Sequence, residues 1–264
     1  MMMASFVRAD DERVTKDLVY STVNGRKLLL DFYRPATPPP ADGYPLIISI
    51  HGGAWAGADR HNDLILRKLT NSGYALASID YRVSGEAKYP AQIDDCREAV
   101  RWLVANAASL HVNTNKFVAT GISAGGHLSL LLGLSQPHGD RTIKAVCALY
   151  GPADLVEILP PDMRDKKSNA VAALLGGSVT EKLALAREAS PITYVSKDSI
   201  PILLYHGEQD KLVPVAQSIA LNAAMKAAGA QSTLVIYKDK GHAFGLDDQA
   251  LAQVKEFYDR CLKD

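Results

Sequence analysis

Short apolar runs at 46–50, 75–79, 117–119, 145–149, 202–205 and 234–237 recur along the chain, with stretches of helical periodicity between them. Runs that are apolar throughout, rather than alternating, suit β-strands covered on both faces. The clearest helical pattern is 91–109, where Ile93, Val100, Leu103 and Val104 form a stripe that Asp94, Asp95, Arg97, Glu98 and Arg101 mostly avoid. A second, 215–228, ends at Gly229, a C-terminal cap, and a third, 249–262, closes the chain. Strands alternating with helices predict an α/β fold: a twisted, mostly parallel sheet with helices on both faces. Ahead of these runs, 15–23 and 27–33 alternate apolar and polar residues around Asn24-Gly25, a strong hairpin signal. The sheet is therefore expected to open with an antiparallel edge and to have about eight strands.

A chain of 264 residues can bury a large core, and a single domain over 1–264 is expected, with 155–189 as the place for a small cap. The 29 Lys and Arg balance 29 Asp and Glu, so no long-range field is available to hold a polyanion, which argues against nucleic acid as a partner. No apolar run approaches the roughly 20 residues that span a bilayer, so no membrane partner is expected. Residues 1–11, which open with Met1-Met2-Met3, lack the apolar core of a secretory signal; a cytoplasmic protein or a mature secreted form is the expectation. Cys96, Cys147 and Cys261 are odd in number and widely spaced, and read as inert thiols. No HExxH metal signature is present, and neither a metal nor a cofactor is called for. Oligomeric state leaves no trace in the sequence.

In open α/β sheets, ligands bind outside the carboxyl ends of the strands. The run at 117–119 leads into Gly121-Ile122-Ser123-Ala124-Gly125-Gly126, after which an apolar helical stretch begins at His127. This G-x-S-x-G pattern in a strand–turn–helix context lifts the Ser123 hydroxyl out of a sharp turn and aims helix N–H groups, that of Ala124 included, at it. A serine hydroxyl needs a base, and His242 lies in a glycine-flanked loop beyond the last strand. His206 ends an apolar run and reads as a hydrogen-bonded structural residue. Asp210, just past the 202–205 run, is the first choice to orient the base; Asp154 and Glu208 are the alternatives. After the 46–50 run, His51-Gly52-Gly53-Ala54-Trp55 offers closely spaced main-chain N–H groups for a developing oxyanion, with Gly53 and Ala54 favoured and Gly52 next. His51 is expected to pin that loop. Trp55, Tyr81 and Phe244 are candidates for pocket walls and equally for the core.

Together these segments resemble the hormone-sensitive-lipase-like esterases of the α/β-hydrolase superfamily, and more closely the compact bacterial esterases grouped with feruloyl and acetylxylan esterases. His51-Gly52-Gly53-Ala54-Trp55 looks like their HGGxW loop, Gly121 to His127 their nucleophile elbow, and Asp80-Tyr81-Arg82 through Tyr89-Pro90-Ala91 and Asp95-Cys96 their YRL…P-A…D-C stretch. Asp210 and His242 sit where their acid and base would be. The resemblance implies a cofactor-free serine esterase acting through an acyl-enzyme on short acyl or aryl esters, acetylated or feruloylated carbohydrate among them. Three departures bear on it: Ala54 stands for the lipases' third glycine, Ile122 for their Asp, and only about 40 residues precede the first buried strand, too few for a helical cap. An open site follows from these departures. An arylformamidase or amide hydrolase shares the HGGxW resemblance, and a non-catalytic receptor on the same scaffold is the remaining alternative. A histidine base predicts that hydrolysis rises with pH through the ordinary imidazole range.

Overall fold

In the computed structural model, which describes residues 13–62, 64–137 and 141–263, the apolar runs form the centre of one eight-stranded sheet. Residues 1–11, on which the expectation about a secretory signal rests, lie outside the described residues. The strands are β1 (Val14–Val23), β2 (Arg26–Tyr33), β3 (Tyr44–Ile50), β4 (Ala75–Ile79), β5 (Val112–Ile122), β6 (Ile143–Leu149), β7 (Ile202–Gly207) and β8 (Ser232–Tyr237). Their order across the sheet is β1-β2-β4-β3-β5-β6-β7-β8. The β1–β2 and β2–β4 pairs are antiparallel and all others parallel. Asn24 and Gly25, at φ 50° and 82°, make the β1–β2 turn, in the left-handed region that such hairpins require.

Period-two alternation distributes each central strand between two cores. Leu46, Ile48 and Ile50 of β3, with Phe117 and Ala119 of β5, face the larger one; Ile47 and Val118 face the other. Helices α1 (Ala91–Ala105), α2 (Ala107–Leu110), α3 (Ala124–Leu134) and α6 (Ala216–Ala227) cover the first face, and α7 (Asp248–Cys261) the second. Two short helices, α4 (Ala170–Leu175) and α5 (Leu183–Glu188), lie between β6 and β7. Fully burying a side chain such as Leu46 or Phe117 contributes about 1.5–3 kcal/mol, so these two layers dominate the stability.

Two expectations need adjusting. The 91–109 helix breaks at Asn106 into α1 and α2, and His111 then turns left-handed at φ 55° to enter β5. The 234–237 run, expected to be covered on both faces, forms β8 at the sheet edge, where Ile236 is 39% exposed.

Cys96 and Cys147 are buried, and burial pushes both thiols up, away from the reactive thiolate. All three cysteines are free. Among the described residues, no helix is long and apolar enough to cross a membrane.

The chain runs outward from β3 to β4, then returns to place β5 on the other side of β3. That reversal makes the carboxyl ends of β3 and β5 a topological switch point, where adjacent loops diverge and leave a crevice.

Candidate active site

Ser123 sits between β5 and α3 with φ 50° and ψ −120°, a conformation that costs an L-residue energy and persists only when its surroundings enforce it. They do so through its N–H, which donates to the Leu149 carbonyl at 2.9 Å, and through tight packing of the α3 start. A Cβ on Gly125 would lie 2.0 Å from the Ile50 carbonyl oxygen, so only glycine lets α3 approach the end of β3 this closely.

His242, on the loop after β8, brings Nε2 to 3.0 Å from Ser123 Oγ. Its Nδ1 lies 2.6 Å from Asp210 Oδ2. The Asp210 side chain is fully buried, and its other oxygen accepts the N–H groups of Leu212 and Val213, each at 2.9 Å. These two donors fix which oxygen faces the imidazole. Gly207, at the end of β7, allows the histidine loop to come down on it: a Cβ there would meet the Lys240 oxygen at 2.3 Å. The His242 ring rests edge-on against Tyr150, with centroids 4.7 Å apart.

The two alternative acids are engaged elsewhere or turned outward. Asp154 Oδ1 accepts the N–H groups of Val156 and Glu157, capping a turn, while Glu208 is exposed. His206 is buried, with Nδ1 2.7 Å from Ser218 Oγ and Nε2 2.8 Å from the Val213 carbonyl. Burial holds its pKa below the usual histidine value. Its Nε2 also lies 3.3 Å from Asp210 Oδ2, the oxygen that faces His242.

The loop after β3 carries Gly53, Ala54 and Trp55 in succession at φ 94°, 53° and 57°. Holding Ala54 and Trp55 there costs on the order of 1 kcal/mol each. Several contacts hold the loop in place. The Gly53 carbonyl accepts the N–H groups of Ala56 and Gly57, and the Trp55 carbonyl accepts that of Ser84. His51 stacks on Tyr81 at 4.2 Å and places Nδ1 2.8 Å from the Gly52 carbonyl. Ala54 and Ala124 line the same cavity as Ser123 and His242, whereas Gly52 and Gly53 are not among its lining residues.

That cavity, about 330 Å³, is apolar. Of the three aromatic candidates, Trp55 lines it. Tyr81 is buried under the loop, its hydroxyl donating to the His51 and Gly52 carbonyls, and Phe244 packs on Tyr150 and Tyr237 at the edge of the second core. The remaining walls come from Pro152, from Ile158, Leu159, Asn169, Ala170 and Val171 within the 155–189 stretch, and from Leu212 and Val213. None of these was singled out from the sequence. An aliphatic residue two positions after the expected acid, Leu212, is the signal the sequence offers; the structure leaves it 73% exposed. Among the described residues, no group of three His, Cys, Asp or Glu is placed to hold a metal ion.

His127 lies one helical turn beyond Ser123 and is completely buried. Burial pushes its pKa from 6.5 down to about 4, opposed by a hydrogen bond to the Ala189 carbonyl. A histidine kept neutral in the fold takes up its proton on unfolding, so between pH 6.5 and 4 the unfolded chain binds more protons. Stability contributed by this site is intact above pH 6.5 and is lost as pH falls, by about 3 kcal/mol at pH 4. The difference in unfolding free energy between the parent and His127→Asn, from urea melts, is expected to narrow by about that amount between pH 7 and pH 4. A constant gap would contradict it.

The sequence profile of the BD-FAE family matches residues 30–225. Esterase LipQ of Mycobacterium tuberculosis is 31% identical over 88% of this chain, and Esterase LipC of the same organism 30% identical over 84%. The chain spans 58% of the length of each of these relatives. Among solved structures, a truncated carbohydrate esterase from gut microbiota superposes with a TM-score of 0.84 at 28% identity, covering 95% of this chain and 96% of that one. An esterase of Thermogutta terrifontis with propionate bound gives a TM-score of 0.75 at 27% identity, with 94% of both chains covered.

Proposed function

The chain belongs to the BD-FAE family, an α/β-hydrolase family, and from that membership together with the geometry at Ser123 we propose that it is a serine carboxylic-ester hydrolase. The observation that carries the reading is the continuous hydrogen-bonded line from Asp210 through His242 to Ser123 Oγ, at 2.6 and 3.0 Å, opening onto one apolar cavity. His242 takes the serine proton as Oγ attacks the ester carbonyl carbon. The C=O electrons move onto oxygen, where the N–H groups of Gly53, Ala54 and Ala124 stabilise the charge. His242 then protonates the leaving alcohol. Water attacks the acyl-serine with its proton passing to His242, which returns a proton to Ser123 Oγ as the acyl–oxygen bond breaks and the acid departs. Asp210 keeps the Nδ1–H tautomer and stabilises the imidazolium.

The acyl group is short or compact. The cavity sits at the small end of the usual range of roughly 300–1,000 Å³, and its apolar walls offer little to bind a sugar, so a carbohydrate alcohol would lie outside it. Two observations on relatives agree: structures of the Thermogutta terrifontis esterase are described with propionate and with butyrate bound. A fluorophosphonate probe should label the parent and leave Ser123→Ala unlabelled. On p-nitrophenyl esters, butyrate should exceed dodecanoate in kcat/KM by at least about tenfold, because a chain that outgrows the pocket leaves apolar surface in water. Dodecanoate as the best substrate would refute the pocket assignment, and formanilide turned over faster than any ester would replace ester hydrolysis by formamide hydrolysis.

A further inference from the structure

We propose that His127 is a positioning residue that clamps the oxyanion loop to the helix of the nucleophile by holding the indole of Trp55; this role rests on the hydrolase reading above. The Trp55 Nε1–H donates to His127 Nδ1 at 3.1 Å, and the two rings meet edge to face, 5.1 Å apart at 84°. The His127 Nε2 lies 2.7 Å from the Ala189 carbonyl oxygen. These partners assign the tautomer. A carbonyl only accepts, so the proton sits on Nε2; an indole N–H only donates, so Nδ1 must be the bare acceptor. A neutral imidazole satisfies both at once.

The elements joined in this way are three of those that form the site. Trp55 ends the run of left-handed residues that begins at Gly53 and presents Ala54 to the cavity. His127 rides on α3, and its N–H donates to the Ser123 carbonyl at 2.9 Å. Ala189 follows α5, at the end of the segment that supplies Ile158, Leu159, Ala170 and Val171 to the cavity wall. The Ser84 N–H on the Trp55 carbonyl anchors the loop to the segment after β4, on the other side of β3 from β5, and the indole bond ties it to α3. The loop's left-handed backbone holds only where its surroundings enforce it. Without the His127 bond, the loop loses its side-chain hydrogen bond to α3, and the N–H of Ala54 shifts relative to Ser123 Oγ despite the loop's remaining contacts.

An oxyanion donor acts on charge that exists only in the transition state, so its displacement lowers kcat and leaves KM nearly unchanged. A misplacement of about 1 Å is worth up to about 100-fold in rate. In His127→Phe, which keeps a ring but offers no acceptor, kcat for p-nitrophenyl acetate is expected to fall about 10- to 100-fold with KM within about twofold. His127→Asn, whose amide oxygen can occupy the Nδ1 position, should stay within about threefold of the parent. Trp55→Phe removes the bond from the loop side, should lose kcat comparably, and reports on the clamp even where His127→Phe does not fold. The double variant should be no worse than the more impaired single one. In 15N–1H spectra, the chain's two tryptophans give two indole signals. One of them should move in His127→Phe and stay in place in Ser123→Ala.

A kcat within twofold of the parent in both single variants overturns the proposal. So does His127→Asn losing as much as His127→Phe, or the two single losses adding in the double variant. A parent with neither turnover nor fluorophosphonate labelling overturns the hydrolase reading instead, and the indole signal then still shows whether the clamp is formed.

Discussion

Replacing Ser123 by alanine is expected to lower kcat for p-nitrophenyl acetate by about 10⁵- to 10⁶-fold, the loss typical of removing a nucleophile from a working triad. Its hydroxyl lies 3.0 Å from the His242 Nε2, and a strained φ of 50° presents it to a cavity that Ala54 and Ala124 also line. Alanine fits that backbone no worse than serine, so the fold and its melting temperature should hold. His242→Ala should lose a similar amount, and the Ser123→Ala/His242→Ala pair no more than either alone, because the two groups act on one proton. Residual activity above about 1% of the parent in purified Ser123→Ala would remove that residue from the nucleophile's role.

The second large effect concerns Asp210→Asn, expected to cost about 10⁴-fold in kcat while leaving the fold intact. Two backbone donors, Leu212 and Val213, point at Oδ1, each 2.9 Å away. An asparagine must therefore turn its oxygen to them, since the opposite orientation would leave both buried N–H groups facing a donor. Its NH₂ then replaces Oδ2, 2.6 Å from His242 Nδ1, and donates where the carboxylate accepted. The imidazole must put its proton on Nε2, pointing at Ser123, and in that tautomer it cannot act as a base. A kcat within tenfold of the parent would show that Asp210 does not set the tautomer. Asp154→Asn serves as the comparison and should be nearly neutral, because Asp154 caps the turn at Val156 and Glu157.

Much of the frame was legible because it depends on local pattern. A glycine-bounded serine between an apolar strand and an apolar helix leaves the chain few conformations, and the structure places Ser123 in one of them. The hairpin at Asn24-Gly25 was legible for the same reason: its left-handed φ values suit these two residues. Histidines were harder to distinguish. His206 and His242 both follow apolar strands and adjoin glycine; what separates them is that His206 meets Ser218 and Val213 while His242 meets Ser123 and Asp210. His127 gave no chemical signal at all, since its partners Trp55 and Ala189 are 72 and 62 residues away.

By itself, then, the amino-acid sequence determined the alternation of strands and helices, the sharp turns, and the residue types that the chemistry needs. Each depends on periodicity or backbone sterics within a few neighbouring residues. Tertiary structure alone decided which carboxylate faces the imidazole, that Trp55 lines the cavity while Tyr81 and Phe244 do not, and that 155–189 supplies its wall. Those outcomes depend on directional hydrogen bonds and close packing between segments far apart in the chain, and such contacts have no local signature.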